Sequence, residues 1–128
     1  MNCSKFTEKN LMHKILIATT TFGTVSNDPI KRLKNAKCRL VFNNFKSKLN
    51  QNQLVKLAYD CDGIIAGTEE YNKDVIKKLK KLKVISRLGV GVDNIDINAI
   101  KHKKIKLLIT QSSPSRSVAE LALGLMLS

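Results

Sequence analysis

Short, continuously apolar runs alternate along this chain with stretches whose apolar positions recur every three or four residues. The runs are Lys14-Ile-Leu-Ile-Ala-Thr19, Cys38 to Phe42, Gly63-Ile-Ile-Ala66, residues 83–87 and Ile105 to Ile109. A run apolar at consecutive positions fits a strand buried on both faces, whereas strict alternation would mark a strand with one wet face. The intervening stretches predict helices over 30–35, 50–59, 73–81 and 96–102. Leu54, Leu57 and Ala58 form the apolar face of the second helix. In 73–83, Val75, Ile76, Leu79 and Leu82 fall at helical spacing, and lysines fill the other face. Pro29, tolerated in a first helical turn, follows a candidate Asp28 cap, and Asp93 or Asn94 is the expected start of the 96–102 helix.

Five such strands joined by helical crossovers predict an α/β domain with a parallel sheet and helices on both faces. The flavodoxin-like strand order 2-1-3-4-5 is expected. The division read from the pattern is a polar extension over 1–13, one domain over 14–114 and the start of a further helix over 115–128. Ser117 and Glu120 make a capping box for that helix. Beyond it nearly every residue to Ser128 is apolar, with no basic last turn and no closing glycine. A helix apolar all round must be covered on several sides, so the chain is expected to be the front part of a longer protein. A helix seated in a groove, or in a homodimer interface, is the alternative.

The net charge of +13 over 128 residues raises a nucleic-acid reading. Against it, the lysines lie along solvated helix faces, with no aromatic residues interleaved to stack bases. A milder consequence is attraction of small anions. The three cysteines, Cys3, Cys38 and Cys61, show no CxxC spacing, which argues against a disulfide framework or a zinc site. Cys38 and Cys61 are expected as small buried hydrophobes, and His13 and His102 as exposed side chains. The first residues lack a signal-peptide core, and no run reaches the roughly 18–20 apolar residues that span a bilayer. A cytoplasmic protein with no nucleic-acid, membrane or metal partner is the expectation.

The segment Gly89-Val90-Gly91-Val92-Asp93-Asn94 follows an apolar strand and precedes a helix. It approaches the dinucleotide fingerprint G-x-G-x-x-G, but Asn94 replaces the third glycine. The next strand's end, Ile109-Thr110-Gln111-Ser112, has no acid to hold a ribose. A complete NAD site in this chain is therefore rejected, and no cofactor-binding residue is assigned. The turn Ala66-Gly67-Thr68-Glu69-Glu70 offers a hydroxyl at Thr68 and an approachable amide at Gly67. Read as a plain helix-starting loop, it has Glu69 and Glu70 favouring the helix dipole. Both turns should lie side by side at the carboxyl ends of the strands, where open parallel sheets gather ligands. Thr19-Thr20-Thr21-Phe22-Gly23 closes the first strand at the same edge.

Three pieces carry a family resemblance. They are Gly63-Ile-Ile-Ala-Gly-Thr-Glu69, Val84-Ile-Ser-Arg-Leu-Gly-Val-Gly-Val-Asp-Asn-Ile-Asp96 and Ser115-Arg-Ser-Val-Ala-Glu-Leu121. In this order and spacing the chain resembles the NAD-dependent D-2-hydroxyacid dehydrogenases, the D-3-phosphoglycerate dehydrogenases of serine biosynthesis in particular. The resemblance implies an oxidoreductase that passes a hydride between a D-2-hydroxy acid and NAD. It implies a substrate domain here and a missing Rossmann domain reached through the 115–128 helix. It also implies that Gly89, Val90 and Gly91 hold the substrate carboxylate through main-chain amides, and that Ala66, Gly67 and Thr68 form a second substrate-facing turn. The catalytic arginine, acid and histidine of such enzymes would lie beyond Ser128, so no catalytic residue is assigned and the fragment alone is expected to be inactive. Two departures tell against phosphoglycerate as substrate. There is no arginine near Ala66, and Ile109-Thr-Gln-Ser-Ser-Pro114 lacks the usual asparagines and properly placed proline. Two rivals remain. A flavodoxin-like binding or regulatory module would want an acidic pocket where Thr19-Thr20-Thr21 stands, and a basic nucleic-acid-binding domain lacks stacking residues.

Overall fold

In the computed structural model, which describes residues 13–20, 22–23, 26–89 and 91–110, the apolar runs pair into one all-parallel sheet. The strands are β1 (Lys14–Ile17), β2 (Arg39–Phe42), β3 (Gly63–Ala66), β4 (Val84–Leu88) and β5 (Lys106–Thr110). Their order is β2-β1-β3-β4-β5, the expected one. Helices α1 (Asp28–Asn35), α2 (Gln51–Ala58), α3 (Lys73–Lys78) and α4 (Ile97–His102) connect them. The register aligns Ile15 with Gly63, Gly63 with Val84 and Val84 with Lys106.

Consecutive apolar residues are needed where a strand feeds two cores, as β1 and β3 do. Contrary to expectation, the edge strands β2 and β5 are not buried on both faces, and Phe42 and Ile109 are exposed. Leu16, Ile64 and Ile85 face Leu54 and Ala58 of α2, Val75 and Ile76 of α3 and Ile100 of α4. Ile15, Ile17 and Ile65 face Leu33 of α1 and Phe22. The central strand β3 is buried along its whole length. At about 25 cal/mol per Å² of apolar surface, each such aliphatic side chain contributes roughly 1.5–3 kcal/mol by leaving water.

Helix ends are where sequence and structure part. Asn50 caps α2 in a reciprocal box with Gln53, and Asn72 caps α3 through the Val75 N–H. Asp28 is not a cap: α1 starts on it, and the Ser26 hydroxyl accepts from its N–H. Asp96, rather than Asp93 or Asn94, caps α4 by accepting from the Ala99 N–H. The lysine-rich helix ends at Lys78 instead of 81, because Leu79 leaves helical geometry, yet Leu79 and Leu82 stay buried. The chain leaves α1 and α4 through left-handed Lys37 and Lys104. Cys38 N–H bonds Leu33 C=O and Ile105 N–H bonds Ile100 C=O, so both stops are Schellman-type turns with no glycine to announce them. The first and last elements proposed from sequence, 1–13 and 115–128, lie outside the described residues apart from His13.

His13 is half-buried rather than exposed, with Nδ1 3.9 Å from Asp62, whereas His102 is exposed. Cys38 and Cys61 are free and buried. Burial, with the Asp60 charge adding to it, pushes the Cys61 thiol up from 9.0 to about 11. The native state therefore keeps this proton to higher pH than the unfolded chain does. Stability present below about pH 9 is lost as pH rises through about 11. The urea midpoint should fall between those pH values, and fall less in Cys61→Ala. Equal pH slopes for the two proteins would contradict the assignment. Among the described residues no helix is long and apolar enough to cross a membrane, and no cluster of His, Cys, Asp and Glu could hold a metal.

Candidate functional site

The chain runs outward from β1 to β2, then crosses back over β1 to reach β3. The connections thus diverge to opposite faces between β1 and β3, leaving a crevice beyond their carboxyl ends. A cleft of about 270 Å³ occupies it. Thr19 and Thr20 come from the end of β1, Gly67 and Thr68 from the end of β3, and Arg87 and Leu88 from β4, with Lys48 at the rim. Glu69 lines it as well, so two basic residues, one buried carboxylate and three threonines border one small space. A larger cavity of about 570 Å³ lies between α3 and α4, lined by Ile76 and Ala99 with Lys73, Lys77 and His102. Lys103 lines it too, donating from Nζ to the Ile76 and Lys77 carbonyls as a cap on α3. The smaller cleft is the better site, because it sits at the strand ends and gathers groups from three strands.

Under the cleft lies a polar frame. Glu69 is 2% exposed, one of two buried polar side chains among the described residues. Its Oε2 accepts from the Gly67 N–H at 2.8 Å and from the Tyr71 hydroxyl at 3.1 Å. Asn94 Nδ2 donates to the carbonyls of Gly67 at 3.1 Å and Glu69 at 2.7 Å. Burial, and then the neighbouring Glu69, push the Tyr71 phenol well above its usual range, partly offset by Arg87. The hydroxyl stays protonated and remains a donor. Beyond the turns, Tyr71 and Ile95 form one more parallel pair, with Tyr71 N–H on Asn94 C=O and Asp96 N–H on Tyr71 C=O.

This frame changes several sequence expectations. The Gly67 amide is not approachable, since Glu69 already occupies it. Gly67 is small because a Cβ there would stand 3.0 Å from both Thr19 Cβ and a Glu69 oxygen. Glu69 does not serve a helix dipole: Asn72 caps α3, and Glu69 is buried away from it. The Ala66 side chain packs in the core beside Ile64, so it faces no ligand. Thr68 is exposed and lines the cleft. Gly89 has φ +136° and lies against the Arg87 guanidinium, whose Nη1 donates to Leu88 C=O. Gly91 is exposed, with no atom of the described residues within 4 Å of where a Cβ would sit. Val90 lies outside the described residues. The 66–69 and 88–92 turns lie at one edge, where Thr68 and Leu88 line the same cleft, and Asn94 just beyond bonds to the 67–69 turn. Sequence reasoning assigned no role to Arg87 or Lys48. Arg87 carried a signal, a lone charge ending a buried apolar strand, whereas Lys48 was one lysine among many.

A family model described as D-isomer specific 2-hydroxyacid dehydrogenase, catalytic domain, matches residues 15–123. The chain is 41% identical over 80 residues to a hydroxypyruvate reductase of Thermotoga maritima, covering 62% of this chain and 26% of that protein. It is 46% identical over 81 residues to a D-3-phosphoglycerate dehydrogenase of Methanocaldococcus jannaschii, covering 62% of this chain and 15% of that protein. Among solved structures, an NAD+-bound 3-phosphoglycerate dehydrogenase of Entamoeba histolytica superposes with TM-score 0.70 at 32% identity, over 90% of this chain and 38% of that one. A D-lactate dehydrogenase of Escherichia coli, at 21% identity and TM-score 0.63, shares the fold over 91% of this chain and 36% of that one. The chain thus spans a minor part of the length of each of these relatives.

Proposed function

Because the chain belongs to the D-isomer specific 2-hydroxyacid dehydrogenase family through its catalytic domain, we propose that it is the substrate-binding part of an oxidoreductase that interconverts a 2-hydroxy acid and a 2-keto acid with NAD. One observation carries this reading: Arg87, Lys48 and Thr68 line a single crevice at the carboxyl ends of the strands. A carboxylate there gains a charge-assisted hydrogen bond from a guanidinium that is already held in place. The amides of Gly89, Val90 and Gly91 supply the remaining donors in this reading. Gly67 and Ala66 shape the turn that presents Thr68.

The described residues do not fit NAD. A pyrophosphate needs open amides at a helix N-terminus. Here the short α4 is capped by the Asp96 carboxylate, and Asn94, at the third-glycine position, spends its amide on the 67–69 turn. In this reading the cofactor and the proton-transferring groups come from a further domain, and these residues bind and orient the acid.

Titration of the labelled chain with D-glycerate, D-lactate and D-3-phosphoglycerate at low salt tests the reading by NMR. Amide shifts are expected at Thr68, Arg87, Gly89 and Gly91. NAD should leave the 89–94 amides in place. Shifts confined to the α3–α4 groove, or saturable binding of micromolar NAD at 89–94, would overturn it.

A further inference from the structure

We propose that Glu69, with Tyr71 and Asn94, positions the cleft: it locks the turn after β3 to the turn after β4, so that Thr68 and Arg87 meet an anionic substrate in one fixed arrangement. This rests on the substrate-binding reading above and adds positioning residues to it.

Both backbone groups of Gly67 are consumed internally, the N–H by Glu69 and the carbonyl by Asn94. The residue that lines the cleft therefore serves as a hinge pin and donates nothing to a ligand. The Glu69 carboxylate is held from a second side by the Tyr71 hydroxyl. Tyr71 is itself fixed by the backbone pairing with the 94–96 segment. Asn94 then returns to bridge the carbonyls of Gly67 and Glu69. The loop of contacts closes on itself: 67 to 69, 69 to 71, 71 to 94, and 94 back to 67 and 69. It joins the two turns that wall the cleft.

The choice of residue types supports a functional reason. A buried carboxylate loses its hydration and must recover it from donors, whereas an apolar side chain would fill the same space without that penalty. This chain keeps the buried carboxylate in the wall of the crevice that Arg87 and Lys48 also line. A fixed frame also spares a substrate the cost of ordering the loops when it binds.

The test compares Tyr71→Phe, Glu69→Ala and Glu69→Gln with the parent chain by amide hydrogen exchange and D-glycerate titration. Tyr71→Phe deletes one hydroxyl and keeps the ring in the core, so the fold survives. One hydrogen bond lost from the frame should speed Gly67 exchange and weaken D-glycerate about three- to tenfold. The amides of β1 and β3 should exchange at the parent rate. Glu69→Ala should lose more on both measures. Glu69→Gln keeps an oxygen for the Gly67 N–H and should restore both to within about threefold, marking geometry rather than charge as the cause. Unchanged Gly67 exchange in Tyr71→Phe and Glu69→Ala would overturn the lock. Faster exchange with unchanged affinity would reduce the cluster to a structural plug and overturn the positioning role. If the parent chain binds none of the three acids, the substrate-binding reading fails and takes the positioning role with it, while the exchange rates still show whether the lock itself exists.

Discussion

Arg87→Ala is expected to weaken binding of a 2-hydroxy acid by about 10- to 100-fold, the cost of about 1.5–3 kcal/mol for a charge-assisted hydrogen bond. Arg87 is the half-buried cation of the cleft, and its guanidinium is restrained by the Leu88 carbonyl and the face of Gly89. Little side-chain entropy remains to be lost when a carboxylate arrives, which is why its share should exceed that of Lys48. Lys48 is exposed on the rim. Its contribution is screened over about 8 Å at physiological ionic strength, so Lys48→Ala should cost about threefold or less and lose even that at high salt. Arg87→Lys should not restore affinity, because an ammonium cannot reproduce the planar fork. Calorimetric titration with D-glycerate at two salt concentrations checks all three variants. Binding that survives Arg87→Ala but fails in Lys48→Ala would reverse the roles assigned here.

The two glycines of the Gly89-Val90-Gly91 turn should part company when each is replaced by alanine. Gly89 has φ +136°, a conformation that L side chains rarely adopt, and its Cβ would stand 2.8 Å from Arg87 Nη1. Backbone strain of this kind costs of order 1–3 kcal/mol, and the guanidinium must also move. Gly89→Ala should therefore lower unfolding free energy by about 1–3 kcal/mol and weaken acid binding through the displaced arginine. Among the described residues nothing stands within 4 Å of a Cβ at Gly91. Gly91→Ala should change stability by no more than about 0.5 kcal/mol. Urea unfolding of both variants decides the matter. Equal losses would mean that the Gly89 backbone relaxes and that Arg87 is not held by it.

The sheet and its strand order were legible in the amino-acid sequence because they follow from a local pattern. Ile15-Leu16-Ile17 and Ile64-Ile65 are apolar at neighbouring positions, and neighbouring side chains on a strand point to opposite faces. Such a strand is satisfied between two layers, and strands joined one after another by helical crossovers favour parallel pairing. The edge carrying the cleft followed from the same topology. Helix ends were less legible, since Asp28, Asp93, Asn94 and Asp96 are all plausible caps by type. Asp93 or Asn94 was the expected start of α4, but Asp96 caps it and the Asn94 amide is engaged by the 67–69 turn. The site itself was decided by tertiary structure. Glu69 follows Gly67 by two residues, but what makes it a buried frame rather than a surface charge is Asn94, twenty-five residues away. Arg87 and Lys48 become cleft residues only when β4 and the β2–α2 loop converge on the ends of β1 and β3. Apolar periodicity encodes which face of an element leaves water. The pairing of one carboxylate with one amide across two turns depends on distances that no local spacing contains.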